Sequence, residues 1–390
     1  MKSALANLLA SENAKEVLDF LRTRGPRAHI VAPEWVRSRT FPDQTIPDSQ
    51  QSASWSVLGE ALGEADGQKS NFVVVAEDAE QERAVVNSLG GKKGRKSFGL
   101  FGHVLPALLC SANGMAIGRV SPDLTRYAVV CVPRSGSRYL SAVLSNRGVG
   151  APREHIREPL ARIIAEGRLG FPAAIEALEK FGHANRIFGT KLISTFLIHA
   201  SGGRMSAVEK NISWMADRGY RFVRLDRPVV ETAISSYIAY KMRTWHFFGD
   251  MDESARGRLD TLEFEEGAAF DEYIRLRAEK IVIDTIATSL NMPTFTYARV
   301  EADADGVVAD LCRYIGVNPG GLEPGSARIP VTTRTESSTY SRFAEQLEEL
   351  LRRRAPDIGP HTVRRLRRLT ALSFEATERL VKEHAAGTTI

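Results

Sequence analysis

The stretch Tyr127-Ala-Val-Val-Cys-Val-Pro-Arg-Ser-Gly-Ser-Arg138 decides the fold. Residues 127–132 form a continuous apolar run, which is typical of a strand buried on both faces of a parallel sheet. Small residues follow as a short turn, and the sequence from Arg138 to Asn146 then has helical character. A strand, a tight loop and a helix in this order are the repeating unit of an open α/β sheet.

Three more strand candidates lie downstream, at Arg186–Lys191, Arg221–Asp226 and Thr294–Tyr297. Because strands alternate with helical sequence, we predict a parallel, doubly wound sheet whose ligand site lies at the carboxyl ends of its strands. The C-terminal portion is predicted to be helical over 340–354 and 361–384.

The first third of the chain predicts a smaller α/β unit, with strands at His29–Ala32 and Asn71–Ala76 and helices over 14–22 and 77–89. No G-x-G-x-x-G motif accompanies them, so no nucleotide site is predicted there. We therefore predict two parts. These are an α/β module over 1–120, open to roles in acceptor delivery, oligomerisation or a second activity, and a larger domain over 121–390.

The composition is that of an ordinary soluble protein. The 52 Lys and Arg residues exceed the 47 Asp and Glu residues by only five, and 43% of the chain is hydrophobic. This excludes collagen-like, wholly disordered and disulfide-scaffold classes. The three cysteines, Cys110, Cys131 and Cys312, have no C-x-x-C spacing or paired histidine, so neither zinc nor a disulfide framework is predicted. A reducing, cytoplasmic compartment fits this pattern.

Two segments bear on targeting and membranes. The stretch Met1–Phe20 carries acidic and basic residues among its apolar ones, so it predicts an amphipathic helix rather than a secretory signal. Residues 98–118 lack Asp, Glu, Lys and Arg and follow a basic run, so a transmembrane helix is one interpretation. A buried helix with a loop is the other, and four glycines with Pro106 favour it.

The loop 133–137 stands where a phosphate cradle is expected. Its small residues let backbone N–H groups approach an anion, and the helix that follows presents its positive end. A Walker A loop needs Lys and Ser or Thr after its last glycine, whereas Ser137 follows Gly136 here. The loop therefore predicts an anion site that needs no metal, with a ligand-free turn as the alternative.

A second strand, turn and helix places Arg227 at the end of its strand and Ser235 eight residues later. The guanidinium fork matches phosphate with two parallel hydrogen bonds. Two such loops on one sheet predict a ligand with two separated phosphates, and an arginine that only decorates the surface is the alternative.

These loops resemble those of the sulfotransferases that use 3′-phosphoadenosine 5′-phosphosulfate. Within them they resemble the bacterial branch typified by trehalose 2-sulfotransferase and lipopolysaccharide sulfotransferases. In that family a P-[RK]-S-G-[ST] loop holds the 5′-phosphosulfate, and an Arg with a Ser eight residues later holds the 3′-phosphate. The resemblance covers about 128–343. Its lesser matches are F-G-T-K-L at 188–192, T-W-H at 244–246 and Thr296-Tyr297.

The resemblance implies a P-loop-like three-layer sandwich with a central parallel sheet. It also implies metal-independent transfer of the sulfuryl group from the donor to a hydroxyl of a carbohydrate or glycolipid. The implied donor-binding residues are Pro133, Arg134, Ser135, Gly136, Ser137, Arg227 and Ser235. We add Arg138, which directly follows the loop, and Arg334, in a late loop predicted to close over the nucleotide. The sequence departs from the family at Arg138, which removes a hydroxyl from the cradle, and at Ala298-Arg299, which replaces an acidic pair.

Sulfuryl transfer needs a base for the acceptor hydroxyl and a cation for the leaving phosphate. The resemblance places a catalytic glutamate in the loop after the first helix, which is Glu154 here. The neighbouring His155 is the alternative base, and a solvated acid paired with arginine is the structural alternative. Lys191, at the end of its strand, and Arg134 are the candidate cations for the leaving group.

Aromatic and basic residues are concentrated over 237–248. This run predicts one or two contacts with the acceptor, first of all through Trp245 and His246, and core packing is the alternative. The arginines of 352–354 and 364–368 form solvated helix faces or a peripheral contact with an anionic membrane or lipopolysaccharide at the inner membrane face. No recognition motif accompanies the charge, so no nucleic-acid partner is predicted. A kinase with a degenerate P-loop and a non-catalytic nucleotide-binding module stay open as rival functions.

Overall fold

A computed structural model of the protein describes residues 28–31, 70–74, 95–99, 123–157, 160–167, 169–182, 185–242, 253–322, 338–354, 360–373 and 375–378. The chain divides into two compact units, residues 1–120 with 157–181 and residues 121–156 with 182–390.

The first unit contains a three-stranded parallel sheet formed by β1 (Ala28–Val31), β2 (Ser70–Val74) and β3 (Arg95–Gly99), in that order. Two of these strands lie where the sequence predicts them. β3 was not predicted, because its basic residues and the glycine at its end hide the strand pattern. The helices predicted over 14–22 and 77–89, and the apolar stretch beyond residue 99, lie outside the described residues.

The second unit is organised around a four-stranded sheet. Its strands are β4 (Thr125–Cys131), β5 (Ile187–Ile193), β6 (Arg221–Asp226) and β7 (Thr294–Thr296). Their order is β5-β4-β6-β7, and every neighbouring pair is parallel. This confirms the predicted α/β class with a central parallel sheet. Because β4 lies between β5 and β6, the loops that follow these three strands meet at one edge of the sheet.

The helices, numbered in chain order, are α1 (Ser137–Asn146), α2 (Leu160–Ala165), α3 (Phe171–Gly182), α4 (Ser194–Ala200), α5 (Met205–Asp217), α6 (Val229–Met242), α7 (Glu253–Asp260), α8 (Glu266–Ser289), α9 (Tyr297–Ala302), α10 (Ala304–Ile315), α11 (Ser338–Arg354) and α12 (Pro360–Leu369). Of these, α2 and residues 171–181 of α3 belong to the first unit.

Helices flank the sheet of the second unit. Successive residues of a strand point to opposite faces, and both faces of β4 are buried, which explains its unbroken apolar sequence. Val129 and Cys131 pack in a core with Leu140 of α1 and Leu311 of α10. The long helix α8 also packs against β4.

The C-terminal helix predicted over 361–384 is interrupted after Leu369. The chain turns aside there because Ser373 donates its backbone N–H to the carbonyl of Gly203 at 2.9 Å. The backbones approach so closely that a Cβ on Gly203 would lie 2.2 Å from the carbonyl oxygen of Ala371. A contact between distant segments therefore overrides the local helical pattern.

Among the helices within the described ranges, none has both the length and the apolar composition that crossing a membrane requires.

Candidate functional site

The loop between β4 and α1 makes a sharp turn through two residues with positive φ. Arg134 has a φ of 66° and Gly136 a φ of 88°. Glycine adopts this region at no steric cost, whereas a non-glycine residue there is strained, and such strain is common at ligand sites. α1 begins at Ser137 and has no side-chain N-cap hydrogen bond. Its first backbone N–H groups are thus without the usual capping side chain, as in many anion sites.

Ser135 lies at the centre of this loop and is fully buried. Its Oγ has no well-formed hydrogen bond among the residues that the structure describes, although the Cys131 thiol, a weak partner, interacts with it. A buried hydroxyl without a well-formed hydrogen bond is uncommon and points to a ligand or water that completes the site. The Cys131 thiol lies beneath the loop, where burial raises its pKa, and the Ser135 hydroxyl and the positive charge of Lys191 oppose that rise. The residues of the loop fit the phosphate cradle that the sequence predicts.

Tyr297, the first residue of α9, lies directly on the backbone of the loop. A Cβ added to Gly136 would stand 2.1 Å from Cδ2 of Tyr297, well inside van der Waals contact. The loop therefore needs glycine at this position for two reasons, its φ and the close ring.

Gly136→Ala should destabilise the protein more than Gly219→Ala does, and urea unfolding measures the difference. Both glycines have a φ of 88°, but nothing lies within 4 Å of a Cβ at Gly219. We expect about 1–2 kcal/mol for Gly219→Ala, the conformational cost alone. Gly136→Ala adds the cost of displacing Tyr297, about 1–3 kcal/mol more. Equal losses for the two variants would contradict the close packing on the loop.

The structure brings the two predicted loops into direct contact. Arg134 Nε donates to Ser235 Oγ at 3.2 Å, and Arg227 Nη1 donates to the carbonyl oxygen of Arg134 at 3.2 Å. Arg227 is only 7% exposed. Its guanidinium also lies 4.7 Å from the ring centroid of Tyr297, in cation–π contact. Four predicted or family-matched residues from three segments thus share one site at the carboxyl edge of the sheet.

The site concentrates positive charge. Burial, together with the charges of Arg227 and Arg138, lowers the pKa of the Arg134 guanidinium to about 10. Two guanidinium groups that lie close together away from water repel each other, and an anion between them would remove that cost. The Glu231 carboxylate balances part of this charge by accepting from Arg227 Nε at 3.1 Å.

Glu154 and Lys191 form an ion pair, with 3.1 Å between Lys191 Nζ and Glu154 Oε1. The Lys191 side chain is 6% exposed and that of Glu154 is 32% exposed. Arg153 pairs with Thr190 of β5 in an isolated parallel bridge, and Lys191 N donates to the Arg153 carbonyl at 2.7 Å. This pairing fixes the loop that carries Glu154 beside β5.

The ion pair belongs to the same region as the cradle. The Glu154 charge acts against the lowering of the Arg134 pKa, which itself comes first from burial. The Lys191 charge reaches Cys131 at the base of the loop. A carboxylate, an ammonium and a guanidinium therefore lie around the predicted anion site, and such a set is suited to proton transfer and to stabilising a leaving group.

His155 faces the protein interior. It is 4% exposed, its Nδ1 lies 3.0 Å from Thr190 Oγ1, and its ring stacks on Phe188 at a centroid distance of 5.2 Å. Of the two predicted bases, Glu154 is therefore the more accessible to a substrate.

The predicted residues Arg334, Trp245 and His246 lie outside the described residues. Within the described ranges, no group of three or more His, Cys, Asp or Glu side chains could hold a metal ion.

Sequence reasoning missed two members of the site, Glu231 and Tyr340. Glu231 stands four residues after Arg227 in the first turn of α6, and this spacing is a local signal for an ion pair. Tyr340 of α11 lies 113 residues from Arg227, to which it is hydrogen-bonded, and no local pattern connects the two.

No family model matches this sequence, and no curated protein matches it. Among solved structures, the chain is similar to a sulfotransferase domain from the curacin biosynthetic pathway, with a TM-score of 0.31 and 15% identity over 58% of this chain and 98% of that chain. It is also similar to a sulfotransferase from Alicyclobacillus acidocaldarius, with a TM-score of 0.33 and 13% identity over 65% of this chain and 100% of that chain.

Proposed function

We propose that this protein is a sulfotransferase that moves the sulfuryl group of 3′-phosphoadenosine 5′-phosphosulfate to a hydroxyl of a carbohydrate or glycolipid. The observation that carries the proposal is the contact between the two phosphate-type loops, Arg134 to Ser235 and Arg227 to Arg134. The motif resemblance to the trehalose 2-sulfotransferase and lipopolysaccharide branch supplies the identity of the ligand.

In this proposal the donor is bound through its two phosphate ends. The 5′-phosphosulfate is bound by the backbone and hydroxyls of 133–137, by the N-terminal end of α1 and by the side chains of Arg134 and Arg138. Arg227 and Ser235 take the 3′-phosphate, and the loop of Arg334 closes over the nucleotide. The buried Ser135 hydroxyl, which lacks a well-formed hydrogen bond among the described residues, and the excess positive charge support an anion at the first of these places.

Glu154 is the proposed base, because its carboxylate is the more exposed of the two candidates. It accepts the proton of the acceptor hydroxyl as the oxygen attacks sulfur in line. The new O–S bond forms while the bond between sulfur and the bridging phosphate oxygen breaks. Lys191 and Arg134 stabilise the charge that grows on the leaving phosphate. The products are the sulfate ester and 3′-phosphoadenosine 5′-phosphate.

The acceptor class, a carbohydrate or glycolipid with Trp245 and His246 as its first contacts, rests on the family resemblance. The same holds for a cytoplasmic enzyme that works without a metal, with peripheral contact at the inner membrane face. The exposed arginines at the end of α11 and in α12 are consistent with such a contact.

The direct test is to incubate the full chain with the phosphosulfate donor and glycans or glycolipids extracted from its host. We expect release of 3′-phosphoadenosine 5′-phosphate and, by intact mass spectrometry, the mass of one sulfate added to a single species. Turnover of ATP with magnesium in preference to the donor would indicate a kinase instead. Donor binding without release of product from any extract would indicate a non-catalytic module.

A further inference from the structure

The Tyr340 hydroxyl links the C-terminal helix α11 to the turn that carries Arg227. It accepts a hydrogen bond from Arg227 Nη2 at 3.1 Å and donates one to the backbone carbonyl of Glu231 at 2.7 Å. The Tyr340 ring centroid lies 6.0 Å from Arg227 Cζ. One hydroxyl thus contacts both the phosphate-type arginine and the helix that begins after it.

Packing holds this hydroxyl in place. Phe343, one turn further along α11, is 1% exposed, and its ring contacts that of Tyr237 on α6 at a centroid distance of 5.8 Å. α11 is therefore anchored on α6, the helix that carries Ser235 and Glu231. The position of Tyr340 relative to Arg227 follows from this helix pair.

The Arg227 guanidinium is fixed by protein groups on three of its nitrogens. Nε donates to Glu231, Nη1 to the Arg134 carbonyl and Nη2 to Tyr340. A guanidinium has five N–H groups, so the three bonds found within the described part of the chain leave two for an anion. Because the group is planar, the three bonds also set its orientation toward that anion.

We propose that Tyr340 is a positioning residue for the 3′-phosphate. Its hydroxyl holds the Arg227 guanidinium in the orientation that binds the phosphate, and this inference rests on the proposed donor site. In this proposal the hydroxyl acts on the ligand through Arg227, so its removal should affect ligands that carry a 3′-phosphate and spare those that lack it.

The test compares two nucleotides by titration calorimetry on the full chain. The probes are adenosine 3′,5′-bisphosphate and adenosine 5′-monophosphate, which differ only in the 3′-phosphate. Tyr340→Phe keeps the ring and removes the hydroxyl. We expect it to weaken the bisphosphate about tenfold, as for loss of one charge-assisted hydrogen bond, and to leave the affinity for the monophosphate unchanged. The KM for the phosphosulfate donor should rise similarly, with kcat changed much less.

Two controls decide the interpretation. Tyr314→Phe, on α10 and partly exposed, should leave both affinities unchanged. In an Arg227→Ala background, Tyr340→Phe should cost nothing further, because the group through which it acts is gone. Equal loss for both nucleotides, or an undiminished preference for the bisphosphate in Tyr340→Phe, overturns the positioning role.

A protein that lacks the proposed donor site would give a different result in the same titrations. If the wild-type protein binds the bisphosphate no more tightly than the monophosphate, no 3′-phosphate site exists and the positioning role falls with it. If the wild type prefers the bisphosphate and Tyr340→Phe prefers it equally, only the role of Tyr340 is overturned. Thermal melting checks that Tyr340→Phe is folded. If it is not, Tyr340→Trp is titrated with the same two nucleotides, and we expect the same loss of preference for the bisphosphate.

Discussion

Arg227→Ala is expected to lower kcat/KM for the phosphosulfate donor by about 100-fold or more. Two charge-assisted hydrogen bonds to a phosphate are each worth about 1.5–3 kcal/mol, and about 1.4 kcal/mol corresponds to a factor of ten. The loss should appear mainly in donor binding, because Arg227 lies at the second loop rather than beside the ion pair of Glu154. Steady-state kinetics with varied donor measure it, and a thermal melt checks that the variant is folded.

The matched control is Arg221→Ala, at the opposite end of β6 from the site. Arg221 is exposed and its guanidinium lies over the ring of Tyr314, so its removal should leave donor kinetics within about twofold of the wild type, as for a surface substitution. Product release that Arg227→Ala leaves intact would remove Arg227 from the donor site and count heavily against the site assignment.

Glu154→Gln is expected to lower kcat by about 100- to 10,000-fold, the range for loss of a general base. Glutamine keeps the size of the side chain but does not take a proton from the acceptor hydroxyl. Donor affinity should change little, because the phosphates are held by the two loops. Single-turnover kinetics with saturating donor separate the chemical step from binding.

Two further variants serve as a control for this result and as a test of the alternative base. Glu209→Gln, on the exposed face of α5, changes the same chemical group away from the site and should keep wild-type kcat. His155→Asn tests the alternative base. If His155→Asn abolishes turnover while retaining its fold and Glu154→Gln does not, the roles of the two residues are reversed. In a non-catalytic binding module, which would show no turnover in the wild type, Glu154→Gln would leave every measurable function intact.

The strands of the second unit were predictable because each is a short stretch with apolar residues that leads into helical sequence. The run 127–132 predicts β4 within two residues of its observed bounds, and Arg221–Asp226 matches β6 at both ends. β3 escaped prediction because Arg95 and Lys96 begin it and a glycine ends it, which hides the apolar pattern of a strand. The break after Leu369 escaped for a related reason, since Gly203 imposes it from more than 150 residues away.

The candidate site likewise has parts that the local sequence predicts and parts that it does not. The cradle at 133–137 can be predicted from its own residues because its features are local. These are small residues after a buried strand, a glycine with positive φ and a helix without a side-chain cap. The Arg227 to Glu231 pair is also local, at a spacing of four residues on one helix.

What the amino-acid sequence dictates here is the set of strand, loop and helix units and the chemistry at the end of each, because both depend on residues close together in the chain. Tertiary structure alone decides that Arg134 contacts Ser235, 101 residues away, and that Tyr340 completes the hydrogen bonds of Arg227. The physical reason is that such pairs depend on which strands become neighbours and how α11 packs on α6. Those arrangements follow from burial of apolar surface across the whole unit rather than from any local pattern.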